Sequence, residues 1–251
     1  MSSREALATD PQQRLLLETT HTLIERAGIA PSSLRGTQTG VFIGMIYSDY
    51  VSRYNHGNGE GHEHEAHLDI GASPSVAAGR ISYSFDFKGP SMAVDAACCS
   101  SLSAIHLAAA SLQAGESTLA VAGGVTVMST PRQFIAFSRQ RGLSTDGRCR
   151  PFSADANGTG WSEGVGLVLL ERLSDARRKE HTVLSILRGS AVNSDGSSFG
   201  LTVPSGPAQQ EVIKQTLRRA ALSPADLDVL DGHGTATTLG DPIELRAVLA
   251  T

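Results

Sequence analysis

The sequence has few cysteines, few aromatic residues and no excess of basic residues. Its three cysteines include the adjacent pair Cys98 and Cys99, which is a poor disulfide framework and suits a reducing compartment. Lysine and arginine total 21 against 25 acidic residues, so the composition does not indicate a nucleic-acid surface. No apolar run is long enough to span a bilayer, and the polar N-terminus lacks the apolar core of a signal peptide. These absences predict a cytoplasmic protein that binds neither nucleic acid nor membrane.

Glycine and short apolar runs are abundant instead. A chain of 251 residues with 40% hydrophobic residues and 26 glycines predicts a globular α/β protein with many tight turns. A first helix is predicted to begin at Asp10-Pro11 and to stop at Gly28. Further helices are predicted over 75–80, 102–112 and 209–220, and buried strands over 39–44, 92–94, 119–125, 164–171, 183–192 and 229–230. The alternation of strand, helix and strand indicates a parallel sheet.

The stretch 91–114 is the centre of the chain. A short apolar run leads through small residues into a helical pattern, and the turn between them carries Cys98 and Cys99. Because a helix N-terminus favours negative charge, it lowers the pKa of a thiol there and makes it a nucleophile. The alternative is that both cysteines are small buried hydrophobes in a tight strand–helix contact. The hydrolase motif G-x-S-x-G is absent.

Four of the eight histidines lie in the segment 55–67. His62, His64 and His67 are candidate zinc ligands, but their spacing matches no common zinc motif. Interleaved glutamate and glycine favour a mobile surface loop, so no metal site is predicted.

The last segment, 231–251, repeats the order of strand, reactive loop and helix. Its loop carries His233, and Asp241-Pro242 is predicted to cap the helix that follows. The chain therefore contains two βα-rich halves, each presenting one reactive residue after a strand, which suggests a duplicated architecture.

Two motifs resemble those of a known enzyme family. VDAACCSSLSAIHLA is similar to the V-D-T-A-C-S-S-S-L elbow of β-ketoacyl synthases, and HGTATTLGDPIE is similar to their H-G-T-G-T-x-L-G-D-P-I-E segment. REALATDPQQRLLLE, FSRQRGLSTDGRCRPFSADANGTGWSEG and VNSDGSSFGLTVPSGPAQ resemble flanking blocks of ketosynthase domains in bacterial modular type I polyketide synthases. The resemblance runs from Ser3 to the end of the chain.

The resemblance implies a thiolase-like fold, in which two similar halves form αβαβα layers. The chain would be truncated at both ends, with a nearly complete N-terminal half over 1–180 and the incomplete start of the C-terminal half over 181–251. It further implies a homodimer with neighbouring polyketide synthase domains. No cofactor is bound, and the substrates are carried on the phosphopantetheine of an acyl carrier protein.

The implied activity is that of an acyltransferase of the 3-oxoacyl synthase type. Cys98 would accept an acyl chain, and decarboxylation of a malonyl or methylmalonyl thioester would give the carbanion that attacks it. His233 would donate a hydrogen bond to the developing enolate oxygen. Thr235 and Thr237 would bind the pantetheine arm, although ordinary turn residues are the alternative. Glu244 would support the catalytic residues without contacting the substrate, although an ordinary acid in the first turn of a helix is the alternative. Cys149 is expected to be structural.

The chain also departs from the family pattern. Ala96, Cys99 and Ala236 stand where the family has threonine, serine and the second glycine of H-G-T-G-T. The K-S-N-x-G-H and G-F-G-G-T-N segments, which supply a catalytic lysine and a second histidine, do not occur. We therefore expect the chain alone to be inactive or poorly folded. The alternatives are a truncated, non-condensing fragment that serves dimerisation or carrier-protein docking, and a priming or decarboxylating relative.

Overall fold

A computed structural model describes residues 2–53 and 65–251, which divide into two compact units. The first unit comprises Met1–Thr130 and Glu163–Ile186, and the second comprises Pro131–Ser162 and Leu187–Thr251. The elements of the first unit are α1 Ser3–Ala8, α2 Pro11–Arg26, β1 Thr39–Gly44, α3 Glu65–Ala72, α4 Pro74–Phe85, β2 Ser91–Val94, α5 Ser100–Ala114, β3 Leu119–Thr126, β4 Gly164–Leu170 and α7 Leu173–Arg178. Those of the second unit are α6 Arg132–Arg139, α8 Gly206–Ala220 and α9 Gly240–Leu249.

Helix α2 begins and ends where the sequence predicts. The carboxylate of Asp10 accepts a hydrogen bond from the backbone N–H of Gln12 at 2.8 Å, and Pro11 occupies the first helical position. Gly28 follows the helix with a φ of 73°, a left-handed conformation that glycine adopts without steric cost. The predicted boundaries are thus confirmed by their chemistry.

The first unit is built on a mixed four-stranded sheet in the order β2-β1-β3-β4. Strand β1 pairs in parallel with β2 and β3, whereas β4 pairs antiparallel with β3. Val41 and Ile43 of β1 pack in one core with α2 and α4, and Phe42 packs in a second core with α5. The predicted strands form, but only β1 and β3 are buried, whereas β2 and β4 are partly exposed. The sheet places helices on both of its faces.

Helix α5 lies unusually close to the centre of the sheet. A Cβ atom on Gly44 would lie 2.6 Å from the backbone of Ser100 and Ser101, and a Cβ on Gly124 would lie 3.0 Å from the Cβ of Ser101. Glycine in β1 and β3 therefore lets the N-terminal end of α5 approach the strands. Among the described residues, Ala97–Ala114 has the length and composition of a membrane span, with a hydropathy of 1.2. One-third of this segment, 33%, is buried, and its buried residues pack against β1 and β3.

Two predicted strands are wrong. No strand forms over 183–192 or 229–230 within the described residues. Their apolar side chains do not enter a core there, since Leu184 is 94% exposed and Val229 is 84% exposed. An apolar run specifies a strand only where a neighbouring strand pairs with its backbone, and within the described residues these segments pair with none.

Other differences concern helices and the histidine-rich segment. The charged turn predicted over 175–180 is largely helical, as the second half of α7, and α6 was not predicted. His67 lies in α3, so the prediction of a loop is wrong for 65–67, whereas His62 and His64 lie outside the described residues.

The second unit packs aromatic rings beside α6. The ring of Trp161 lies 4.5 Å from that of Phe137 and 5.8 Å from that of Phe134, between centroids. Helices α8 and α9 contact one another in the same unit. The single tryptophan of the chain therefore reports on the packing of the second unit.

Candidate active site

The first reactive group lies on the turn between β2 and α5. Strand β2 ends at Val94, a 3-10 turn spans Ala97–Cys99, and α5 begins at Ser100. Ala97 has a φ of 51°, a conformation that costs an alanine free energy and that turns the chain sharply before Cys98. Both Cys98 and Cys99 are exposed, so the interpretation of the pair as buried hydrophobes is wrong.

Ser100 fixes the shape of this turn. Its hydroxyl accepts a hydrogen bond from the N–H of Ala96 at 2.9 Å and donates one to the carbonyl of Ala97 at 2.6 Å. The carboxylate of Asp95 accepts from the N–H of Ala97 at 3.2 Å. Ser100 is itself buried, so the turn is anchored in the core and presents Cys98 on a rigid support.

Cys99 contributes to the same turn. Its thiol donates a hydrogen bond to the carbonyl of Ala96 at 2.9 Å, and its sulfur accepts one from the hydroxyl of Ser103 at 3.8 Å. A serine at this position could form both interactions, which explains how cysteine is accommodated where the resembling family has serine. The geometry gives Cys99 a structural role and leaves Cys98 as the candidate nucleophile.

The second reactive group lies on the loop before α9. Glu244, in the first turns of α9, accepts hydrogen bonds from the N–H of His233 at 2.5 Å and from the N–H of Gly234 at 2.9 Å. A carboxylate that accepts from two consecutive backbone N–H groups forms strong, charge-assisted bonds. Glu244 therefore fixes the backbone that carries the exposed imidazole of His233.

The two threonines after His233 take part in the start of α9. The hydroxyl oxygens of Thr235 and Thr237 lie 3.2 Å apart, and that of Thr237 accepts from the N–H of Gly240 at 3.0 Å. The hydroxyl of Thr237 thus binds the first residue of α9, whose N-cap residue is Leu239, whereas Asp241 was predicted to cap this helix. That prediction is wrong, because the carboxylate of Asp241 accepts from the N–H of Phe152 at 2.7 Å instead. A role of the two hydroxyls in binding pantetheine stays a prediction.

Ala236 occupies a conformation that favours glycine. It has a φ of 57° and is completely buried, and its carbonyl accepts from the N–H of Gly158 at 2.8 Å. The family that the sequence resembles has glycine at this position. Ala236 therefore keeps the left-handed backbone conformation of that glycine although alanine has a Cβ.

A second loop lies against the His233 segment. The thiol of Cys149 is 3.8 Å from the carbonyl of Thr235 and 4.0 Å from that of Gly234. Nearby, the guanidinium of Arg150 binds Asp146 through both nitrogens, at 2.6 and 3.1 Å. These hydrogen bonds hold the pKa of Asp146 well below its usual range. Cys149, which was expected to be structural, therefore contacts the backbone of the loop that carries His233.

The structure brings four of the five candidate residues together. His233, Thr235, Thr237 and Glu244 share the loop and first turns of α9 in the second unit, whereas Cys98 belongs to the first unit. Sequence reasoning missed Phe152 and gave Asp241 the wrong partner, because their contact joins positions 89 residues apart in the chain.

Comparison with known proteins shows which family the chain matches. Residues 1–176 match the family described as "Beta-ketoacyl synthase, N-terminal domain", and residues 184–251 match "Beta-ketoacyl synthase, C-terminal domain". The chain belongs to the β-ketoacyl synthase family. The family resemblance found in the sequence is therefore confirmed.

Individual relatives of this ketoacyl synthase chain are polyketide enzymes. It is 64% identical to naringenin synthase of Pestalotiopsis fici and 59% identical to polyketide synthase GfsB of Streptomyces halstedii. The match covers 100% of this chain in both cases, but only 9% and 4% of those relatives. The oxazolomycin ketosynthase domain OzmH KS7 of Streptomyces albus matches with a TM-score of 0.91 and 42% identity, over 99% of this chain and 42% of that one. The fold is thus the thiolase-like fold of ketosynthases, over part of its length.

Proposed function

We propose that the chain is part of a ketosynthase domain that catalyses decarboxylative Claisen condensation in polyketide biosynthesis. The observation that carries the proposal is the hydrogen-bonded turn before α5, which presents the exposed Cys98 between strand β2 and helix α5. A helix N-terminus beside a thiol favours the anionic sulfur that attacks thioesters.

In the proposed reaction the sulfur of Cys98 attacks the carbonyl carbon of an acyl thioester. A new C–S bond forms, and the pantetheine thiol leaves with a proton. A malonyl or methylmalonyl thioester then loses CO2, and the resulting carbanion attacks the acyl carbon and releases the Cys98 sulfur. Cysteine suits this sequence because a thiolate is both a good nucleophile and a good leaving group.

The second unit would serve the decarboxylation. The imidazole of His233 would donate a hydrogen bond to the enolate oxygen as negative charge develops there. Glu244 supports this role, because it fixes the backbone of His233 through two N–H groups. The hydroxyls of Thr235 and Thr237 would bind the pantetheine arm.

The wider assignment follows the same family. We propose that 1–180 is the N-terminal half of the domain and 181–251 the start of its C-terminal half. The working protein would be a cytoplasmic homodimer beside other polyketide synthase domains. Its substrates would arrive on the phosphopantetheine of an acyl carrier protein, and no other cofactor is required for the chemistry.

A non-condensing fragment for dimerisation or carrier-protein docking is the less favoured alternative. Cys98, His233 and Glu244 are all present. Hydrogen bonds fix the turn that carries Cys98 and the backbone of His233, as expected for an active site. A docking fragment needs none of these. A priming enzyme would use the same residues and is distinguished only by the product formed.

Intact-mass spectrometry after incubation with an acyl pantetheine thioester tests the proposal. We expect one acyl adduct on the wild-type protein, its loss in Cys98→Ala, and its retention in Cys99→Ala. Cys99→Ala is the matched control, because it removes a neighbouring exposed thiol. An adduct that disappears in Cys99→Ala and persists in Cys98→Ala would show that Cys99 is the nucleophile, and the proposed role of Cys98 would be wrong. A folded wild-type protein without any adduct would favour the docking fragment.

A further inference from the structure

Phe152 lies against the turn that carries His233, in a conformation that few aromatic residues adopt. Its φ is 58°, in the left-handed region where a Cβ crowds the backbone. A bulky residue stays in that region only when its surroundings hold it there, and such strained residues cluster at functional sites. We infer that Phe152, held by Asp241, positions His233 for the proposed decarboxylation. The inference rests on the function proposed above.

Asp241 is the group that holds Phe152. Its carboxylate accepts from the N–H of Phe152 at 2.7 Å, and the whole residue is 4% exposed. A buried, charge-assisted hydrogen bond of this kind is strong enough to hold a strained backbone. The other carboxylate oxygen of Asp241 is buried and forms no hydrogen bond with the described residues. An unpaired oxygen on a buried carboxylate costs folding free energy. A functional role of Asp241 at the site would explain why the protein tolerates this cost.

The strained residue contacts both glycines that flank His233. A Cβ on Gly232 would lie 2.9 Å from Cζ of Phe152. A Cβ on Gly234 would lie 3.4 Å from Cε2 of the same ring and 2.9 Å from Cβ of Pro151. The ring and the neighbouring proline therefore lie so close to the backbone on either side of the imidazole that a side chain at Gly232 or Gly234 would have to displace them.

Glu244 and Phe152 constrain the same turn in different ways. Glu244 binds the N–H groups of His233 and Gly234, which fixes where these donors point. The ring of Phe152 limits how far the two glycines can move, since a glycine backbone has no side chain to hold it in place. Phe152 and Asp241 are thus positioning residues, and neither needs to touch the substrate.

The test separates the two half-reactions in the full-length protein that contains the chain. Loading of Cys98 is followed by mass spectrometry of the acylated peptide, and decarboxylation by release of labelled CO2 from a malonyl thioester. We expect Phe152→Ala to slow decarboxylation by about 10- to 100-fold, because displacement of a catalytic group by about 1 Å costs that much. Loading of Cys98 should stay within about twofold of wild type, since His233 is not needed for that step.

Asp241→Asn and Asp228→Asn complete the series. Asp241→Asn retains a neutral acceptor for the N–H of Phe152, and a bond to a neutral acceptor is about half as strong as one to a carboxylate. The rate of decarboxylation should therefore fall by only about threefold. Asp241→Asn also keeps the test open if Phe152→Ala is unstable. Asp228 is exposed and lies in the same unit, so Asp228→Asn should match wild type in both assays.

The outcomes distinguish the inference from the function beneath it. If wild type loads and decarboxylates, but the Phe152 and Asp241 variants slow both steps equally or neither, Phe152 does not position His233. If folded wild type does neither, the proposed function itself is wrong and the inference falls with it.

Discussion

Replacement of Ala236 with glycine tests whether the buried turn after His233 carries conformational strain. Three terms decide its effect on the free energy of unfolding. Removal of a Cβ from the left-handed region relieves about 1–2 kcal/mol. Loss of a buried methyl group costs about 0.8 kcal/mol. The greater freedom of glycine in the unfolded chain costs about 0.4–1 kcal/mol. These terms nearly cancel, so Ala236→Gly should change stability by less than about 1 kcal/mol.

Ala247→Gly is the matched control in the same unit. Ala247 is 1% exposed and lies in α9, so its Cβ is equally buried but its backbone is helical. Glycine there costs about 1 kcal/mol in helix propensity and about 0.8 kcal/mol for the lost methyl group, with no strain to relieve. We expect Ala247→Gly to be less stable than Ala236→Gly by about 1.5–2 kcal/mol, roughly a 10- to 30-fold difference in the unfolding equilibrium.

Urea unfolding followed by tryptophan fluorescence measures both variants. The only tryptophan, Trp161, packs against Phe137 within the second unit and therefore reports on the unit that holds both substitutions. Equal destabilisation by the two substitutions would refute the argument, because it would mean that the left-handed conformation of Ala236 carries no cost.

Three further predictions concern the first unit. Gly44→Ala should destabilise the chain by about 1–3 kcal/mol, because the new Cβ would meet the backbone of α5. It should also slow acyl loading of Cys98, measured by mass spectrometry, whereas a normal loading rate would show that α5 does not move. Asp10→Ala should cost about 2 kcal/mol in urea unfolding, since a buried helix cap is lost. Arg80 binds Glu5 and lowers the pKa of that carboxyl, so the pair stabilises the fold above the unfolded value of about 4.3. Glu5→Gln should cost about 0.5 kcal/mol at pH 7, and this difference should disappear as the pH falls through the lowered pKa of Glu5.

Local sequence patterns determined most of the first unit. The apolar runs that became β1, β3 and β4 are each bounded by glycine or turn residues, and they pair side by side in one sheet, in which β1 and β3 are buried. The start of α2 was predictable because Asp10-Pro11 is a cap whose chemistry depends on neighbours in the chain. Such features need no knowledge of distant residues.

The same patterns failed where pairing or distant contacts decide the structure. The run 183–192 has the apolar composition of a strand, yet composition does not supply a partner for its N–H groups. Helix α6 was missed because it is only eight residues long, although its aromatic side chains lie on one face and its arginines on the other. Its aromatic residues pack against Trp161, more than 20 residues later in the chain.

In the candidate site, too, the sequence predicted local motifs but not contacts between distant residues. Cys98, His233 and Glu244 were found through motifs, in which the reactive residue and its neighbours are adjacent in the chain. The bond between Asp241 and Phe152 joins two loops that are distant in sequence, and the local pattern of Asp241-Pro242 indicated a helix cap instead. Only the folded chain shows that Leu239 is the N-cap residue and that Thr237 accepts from the N–H of Gly240.

The order of strands in the first unit has a consequence for translation. Strand β3 leaves the ribosome before β4, its antiparallel partner, which is complete only after roughly 40 further residues. At bacterial synthesis rates this delay is about 2–9 seconds. An apolar strand with one open edge is a template for aggregation during that time. The yield of soluble protein in a heterologous host should therefore rise when chaperones protect the nascent chain or when synthesis of the intervening segment is fast.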